Sequence, residues 1–200
     1  MNGSFNVKSI FKLIIILILL MAVGFGIWFF FKPPIKPPAE FLTARQQGAE
    51  ISQKIVELTT DINQKIKEIN FSDLNGDYNK ASALIDEVKN KNQETLNQAV
   101  KLASEVQKMT ESLDKISSPK SQELAMKAIT TEISLLTNFM QYKGTLDQFL
   151  TNLNLAIAFS KIEYRQVAEN NLTELNIKSG TINNLNQQFL EEMRVFDTSL

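Results

Sequence analysis

Asp73, Asn75 and Asp77 are the side chains whose types and spacing come closest to a chemical site. They place three oxygen ligands at alternate positions of Asp73-Leu-Asn-Gly-Asp77. A tight loop with that spacing can offer several oxygens to a hard cation such as calcium. The remainder of such a loop is missing. Its sixth position, which needs a glycine's freedom, is Tyr78, and its twelfth, which needs a bidentate carboxylate, is Leu84. The stretch therefore reads as a solvated turn, with Asn75-Gly76 at its apex and Asp77 placed to cap the next helix. Two acidic pairs, Asp86-Glu87 and Glu191-Glu192, are adjacent in sequence. Neighbours on a helix point about 100° apart, so neither pair forms a shared carboxylate site.

The chain has no histidine and no cysteine. That removes the imidazole base, the thiol nucleophile, thiolate metal sites and disulfides. No glycine-rich phosphate loop is present either. The expectation is a non-enzymatic protein with no catalytic residue, no cofactor and no metal. Lys and Arg number 21 against 22 Asp and Glu, a net charge of −1, so no basic field points to nucleic acid. Eleven lysines, Lys65, Lys67, Lys80, Lys89, Lys91, Lys101, Lys108, Lys115, Lys120, Lys127 and Lys143, alternate with acids and read as a solvated helix surface.

Residues 1–12 form a short polar tail with Lys8 and Lys12. Residues 13–31 carry no charge and end in Trp28-Phe-Phe-Phe31. As a helix this run is about 28 Å long, close to the bilayer's hydrocarbon thickness of about 30 Å. It reads as a single-pass transmembrane helix, with an aromatic belt at its far end. It exceeds the usual apolar region of a cleaved signal peptide, so a retained signal anchor is expected. Cleavage, giving a secreted helical protein, is the alternative. Ala22 and Gly26 form a small-xxx-small pair that would let two anchors approach. The lysines flanking the run nearly balance. A short tail without acids places the N-terminus in the cytoplasm and the rest of the chain outside.

Residues 32–39 contain Pro33-Pro34 and Pro37-Pro38, which forbid a continuous helix and suit an extended spacer. From residue 40 to 200 the apolar period is helical. Ile51, Ile55, Leu58, Ile62, Ile66 and Ile69 stripe a first helix expected over 40–69. Tyr78, Ala81, Ile85 and Val88 stripe a second helix, which opens at Asp77. Ala99, Leu102, Val106, Met109, Leu113 and Ile116 extend it as a coiled-coil seam, with Asn92 at its polar middle. Ser118-Pro119 marks the start of a third helix, with Ser118 as N-cap. Its seam is Leu135, Phe139, Tyr142, Leu146, Phe149, Leu153, Ala156 and Ser160, widened by Ile129, Ile133, Leu136, Met140, Leu150 and Ile157. A stripe that wide needs more than one neighbour, which favours a bundle. The fourth helix begins near 160–163 and carries Val167 through Phe196, with a kink or short break expected at Ser179-Gly180.

The expected architecture is all-α: an N-terminal transmembrane helix followed by an antiparallel four-helix bundle of two long αα-hairpins. Asp77-Tyr78-x-x-Ala81 and Glu163-Tyr164-x-x-x-Ala168 open the return helices of the two hairpins in a similar way. Asp73 to Asp77 resembles the first half of an EF-hand or dockerin calcium loop, and Gly76-Asp77-Tyr78-x-x-Ala81 resembles the turn of a tetratricopeptide hairpin. Neither pattern continues along the chain. In helix number the domain resembles the four-helix sensor bundles of bacterial chemoreceptors.

The functional expectation is a membrane-anchored scaffold or protein-interaction module of a bacterial envelope. Its partners would be the lipid bilayer and another envelope protein or a second copy. Phe41, Leu42, Phe189 and Phe196, near the bundle ends, are the candidate contact residues. The alternative is a ligand-sensing extracytoplasmic bundle.

Overall fold

The computed structural model describes residues 37–200, and residues 13–31, where the transmembrane helix is expected, lie outside the described residues. Four long helices make up this region: α1 (Ala39–Leu74), α2 (Tyr78–Glu111), α3 (Pro119–Phe159) and α4 (Ile162–Thr198). A short 3₁₀ turn, Leu113–Lys115, follows α2. Among the described residues there is no strand, and no helix is long and apolar enough to cross a membrane.

The turns follow from local chemistry. α1 continues five residues past the expected end at Ile69, because Phe71 and Leu74 keep helical geometry until Gly76 turns the chain at φ +73°. A left-handed φ suits glycine, which lacks a Cβ. The Asp77 carboxylate then caps α2 by accepting from the Lys80 backbone N–H at 3.2 Å. The Ser118 hydroxyl caps α3 by accepting from the Ser121 N–H at 3.3 Å, with Pro119 at the first helical position. Ser160, in the left-handed conformation at φ 50°, separates α3 from α4.

α1 packs along α2, α2 along α3, and α3 along α4. The expected stripes supply the core. Ile55, Leu58, Ile62 and Ile69 of α1 are buried, as are Ile85, Val88, Ala99, Leu102, Val106 and Met109 of α2. All of the α3 seam from Leu135 to Ala156 is buried, while Ser160 at its end is exposed. Ile129, Leu136, Leu150 and Ile157 widen that buried face, and Ile133 and Met140 point outward. A helix flanked by two neighbours loses a broader arc to the core than a two-stranded seam would.

α4 runs without a break through Ser179-Gly180, contrary to the expected kink there. Glycine in a helix interior costs stability but does not by itself end the helix when packing holds both sides. A Cβ built on Gly180, or on Gly144 of α3, meets nothing within 4 Å. Gly144→Ala and Gly180→Ala are therefore each expected to stabilise the bundle by about 0.5–1 kcal/mol. Thermal or urea melts of the two single variants check this, and a loss of stability in either would mean its glycine serves a close approach.

Candidate functional site

The possible calcium residues are all committed to structure. The Arg165 guanidinium donates two parallel bonds to Asp73, both at 2.9 Å. The Asn75 amide donates to the Phe71 carbonyl at 2.8 Å, and Asp77 is the helix cap. Among the described residues no group of three His, Cys, Asp or Glu could hold a metal. Glu191 and Glu192 diverge as helix geometry requires. Glu191 faces solvent and accepts from Arg194 at 2.8 and 2.6 Å, whereas Glu192 is buried and accepts from the Thr131 hydroxyl at 2.6 Å and the Gln188 amide at 2.9 Å.

Asp73–Arg165 has a counterpart at the opposite end. Arg45 of α1 donates bidentately to Asp197 of α4 at 2.6 and 2.7 Å, beside the Phe41–Phe196 ring contact at 5.6 Å. α1 and α4 are the pair of neighbours without close backbone packing, so two arginine forks and one aromatic pair bridge them. Paired planar donors match a carboxylate in both spacing and direction. The Asp73 hydrogen bond also raises the Arg165 pKa above its ordinary value.

The middle of the bundle holds a polar layer. The Lys143 side chain is 0% exposed, and its ammonium meets no hydrogen-bond acceptor among the described residues. It lies over the face of Phe139, 5.5 Å from the ring centroid, within cation–π range. The Asn92 amide donates to the Lys143 backbone carbonyl at 2.9 Å, joining α2 to α3 at this level. Lys178 donates to Gln141 at 3.4 Å, tying α4 to α3 near this level. The ion pairs Lys65–Glu87 and Lys91–Asp61 tie α1 to α2. Thr59, Asn63, Ser179 and Asn183 are all buried, each with a polar atom lacking a protein partner. Burial pushes the Lys143 ammonium down to about 7, because desolvation disfavours its charged form.

This corrects the reading of Lys143 as part of a solvated surface. A signal was present in the sequence. Phe139, Lys143, Leu146 and Leu150 step by four, three and four, so Lys143 stands on a buried apolar row. Asn92 lies on the equivalent row of α2, between Val88 and Thr95, and is buried there at the expected polar position.

Nearer the Arg45 end, all four helices border a cavity of about 30 Å³, lined by Gly48, Ser52, Glu105, Glu132 and Phe189 among others. It has room for a water molecule or two and not for an organic ligand. Glu105 accepts from Lys108 at 2.7 Å through one oxygen and leaves the other buried. Burial raises the Glu132 carboxyl to about 7.

The candidate contact residues at the bundle ends are displaced by the packing. Phe41, Phe189 and Phe196 are buried, and Leu42 alone of the four remains exposed. Exposed apolar side chains also stand singly along the helices, as at Val100, Ile133 and Ile177, but four lie at the other end, where both hairpins turn. Phe71 is 67% exposed, Leu74 61%, Phe159 61% and Ile162 76%.

No family model matches the chain, and no curated protein or solved structure shows significant similarity to it.

Proposed function

We propose that this chain is a non-enzymatic, membrane-anchored helical rod serving as an envelope scaffold or protein-interaction module. The observation that carries this reading is where the rod begins. α1 starts directly after the Pro-Pro spacer and runs 36 residues, about 54 Å, without interruption. An apolar run of bilayer length, a stiff spacer and a long rod in that order suit the display of a surface at a set height. The buried ionic groups support it too, since they are tied to other parts of the bundle or enclosed where no substrate reaches.

The anchor is tested by fractionation. The full chain is expected to stay in the membrane pellet through carbonate and high-salt washes, with its N-terminus intact. External protease should digest the helical domain in intact cells whose outer barrier is opened. Recovery of a soluble product starting within or after residues 13–31 would show a secreted protein, and protection of the domain would place it in the cytoplasm.

One feature favours the sensor alternative. An open groove of about 520 Å³ lies at the spacer end, between α1 and α2, bordered by Glu40, Thr43, Gln47, Lys108 and Lys115. A small molecule that raises the melting temperature, and loses that effect in Lys108→Ala, would support sensing over scaffolding.

A further inference from the structure

We propose that the tip formed by the two hairpin turns is a self-association surface, through which the rod meets the tip of a second copy end to end. This rests on the interaction-module reading and names its partner.

Each hairpin contributes one aromatic and one aliphatic side chain to the tip: Phe71 and Leu74 beside the first turn, Phe159 and Ile162 beside the second. Tyr78 is half exposed next to them. Tyr164 lies against Phe159 with ring centroids 6.5 Å apart, and the Asp73–Arg165 fork ties the two turns into one platform. At about 150–250 Å² for a whole aromatic side chain, these five leave on the order of 500 Å² of apolar surface open. A monomer's largest apolar patch is usually of that size, and it is often functional. Two such tips would cover on the order of 1,000 Å² together, the lower bound for a specific interface.

Charge selects the occupant. Residues 66–80 and 158–166 carry four basic groups, Lys67, Lys80, Lys161 and Arg165, and four acidic ones, Glu68, Asp73, Asp77 and Glu163. A surface built for anionic lipid carries an excess of lysine and arginine, and this tip has none. With Asp73 and Arg165 paired to each other and Asp77 capping α2, Lys67, Lys80 and Lys161 stand with Glu68 and Glu163, so each copy offers both signs to the other. In a copy related by a two-fold axis the same patch meets itself, so no second kind of surface is needed. Position matters as well. Residues 1–36 join the bundle at Pro37, at the far end of α1, so the tip stands about 54 Å from the point where the rest of the chain attaches. End-to-end pairing would link two anchored copies facing each other.

The absence of native cysteine allows a direct test on the full chain. Ile162→Cys is placed in nanodiscs holding one copy each, so that anchors cannot meet and only contacts between discs are read. Under mild oxidation it is expected to form disulfide dimers about tenfold faster than Val100→Cys, which is exposed on the rod's side and reports random collision. Adding Phe71→Ser and Phe159→Ser should reduce the rate to that of Val100→Cys while leaving helical content unchanged, because both side chains are exposed. Equal rates for Ile162→Cys and Val100→Cys would overturn the proposal. So would loss of the crosslink on adding phosphatidylcholine–phosphatidylglycerol vesicles that co-float with the discs, since the tip would then prefer a bilayer. Failure of the chain to enter nanodiscs at all would refute the anchor and not the tip; the same crosslink is then read on the chain in solution.

Discussion

Lys143→Met is expected to stabilise the bundle at pH 7 by on the order of 2–4 kcal/mol. Methionine has about the same length and needs no acceptor, whereas the ammonium is wholly buried and makes no hydrogen bond among the described residues. The cation–π contact with Phe139 offsets only part of the desolvation. The sign of the pH dependence follows from the lowered pKa. Between about 7 and the ordinary value of 10.5 the unfolded chain binds this proton and the folded chain does not. Stability therefore rises with pH across that window by about 1.4 kcal/mol per unit, and the full cost stands below pH 7. Glu132 acts in the opposite sense. Its folded pKa is raised from 4.5 to about 7, so its contribution is complete below 4.5 and is lost as pH climbs through 7. The two together give the wild-type chain a stability minimum near neutrality. Urea melts from pH 5 to 9.5 read both limbs. In Lys143→Met the alkaline rise should vanish while the acid limb remains. A methionine variant that melts lower than wild type at pH 7 would show that the ammonium has stabilising contacts beyond Phe139.

Phe149→Ala is expected to cost about 3–5 kcal/mol, the range for emptying a large buried aromatic. Phe149 sits on the α3 seam between Leu146 and Leu153, in the core cluster that also contains Val88 of α2. α3 is flanked by α2 and α4, so neither side can collapse into the space without moving a whole helix. In a domain of this size the melting temperature should fall by roughly 10 °C. A change under about 0.5 kcal/mol would place Phe149 on the surface and undo the seam assignment.

The all-helical class, the four-helix order and most of the core were legible along the chain. Those are properties of period and punctuation. Spacings of three and four mark which face of each helix is apolar, and Asn75-Gly76, Asp77 and Ser118-Pro119 place turns and caps by interactions within a few residues. The polar Asn92 in the α2 seam was legible for the same reason. How the helices face one another depends on contacts between residues far apart in the chain. Ser179-Gly180 could end a helix in isolation, but packing on both sides of it carries α4 through. The Phe41 and Phe196 rings lie near helix ends, where local sequence leaves their burial open, and it is the approach of α1 to α4 that covers them. Lys143 carries a charge that locally suggests a solvated position, yet a helix held between two neighbours buries a wider arc than one seam, and Lys143 falls inside that arc. The two arginine forks join residues 152 and 92 positions apart, distances over which no local pattern speaks. The apolar tip likewise belongs to neither hairpin alone. Only the antiparallel packing of two hairpins brings Phe71 and Leu74 together with Phe159 and Ile162 on one surface.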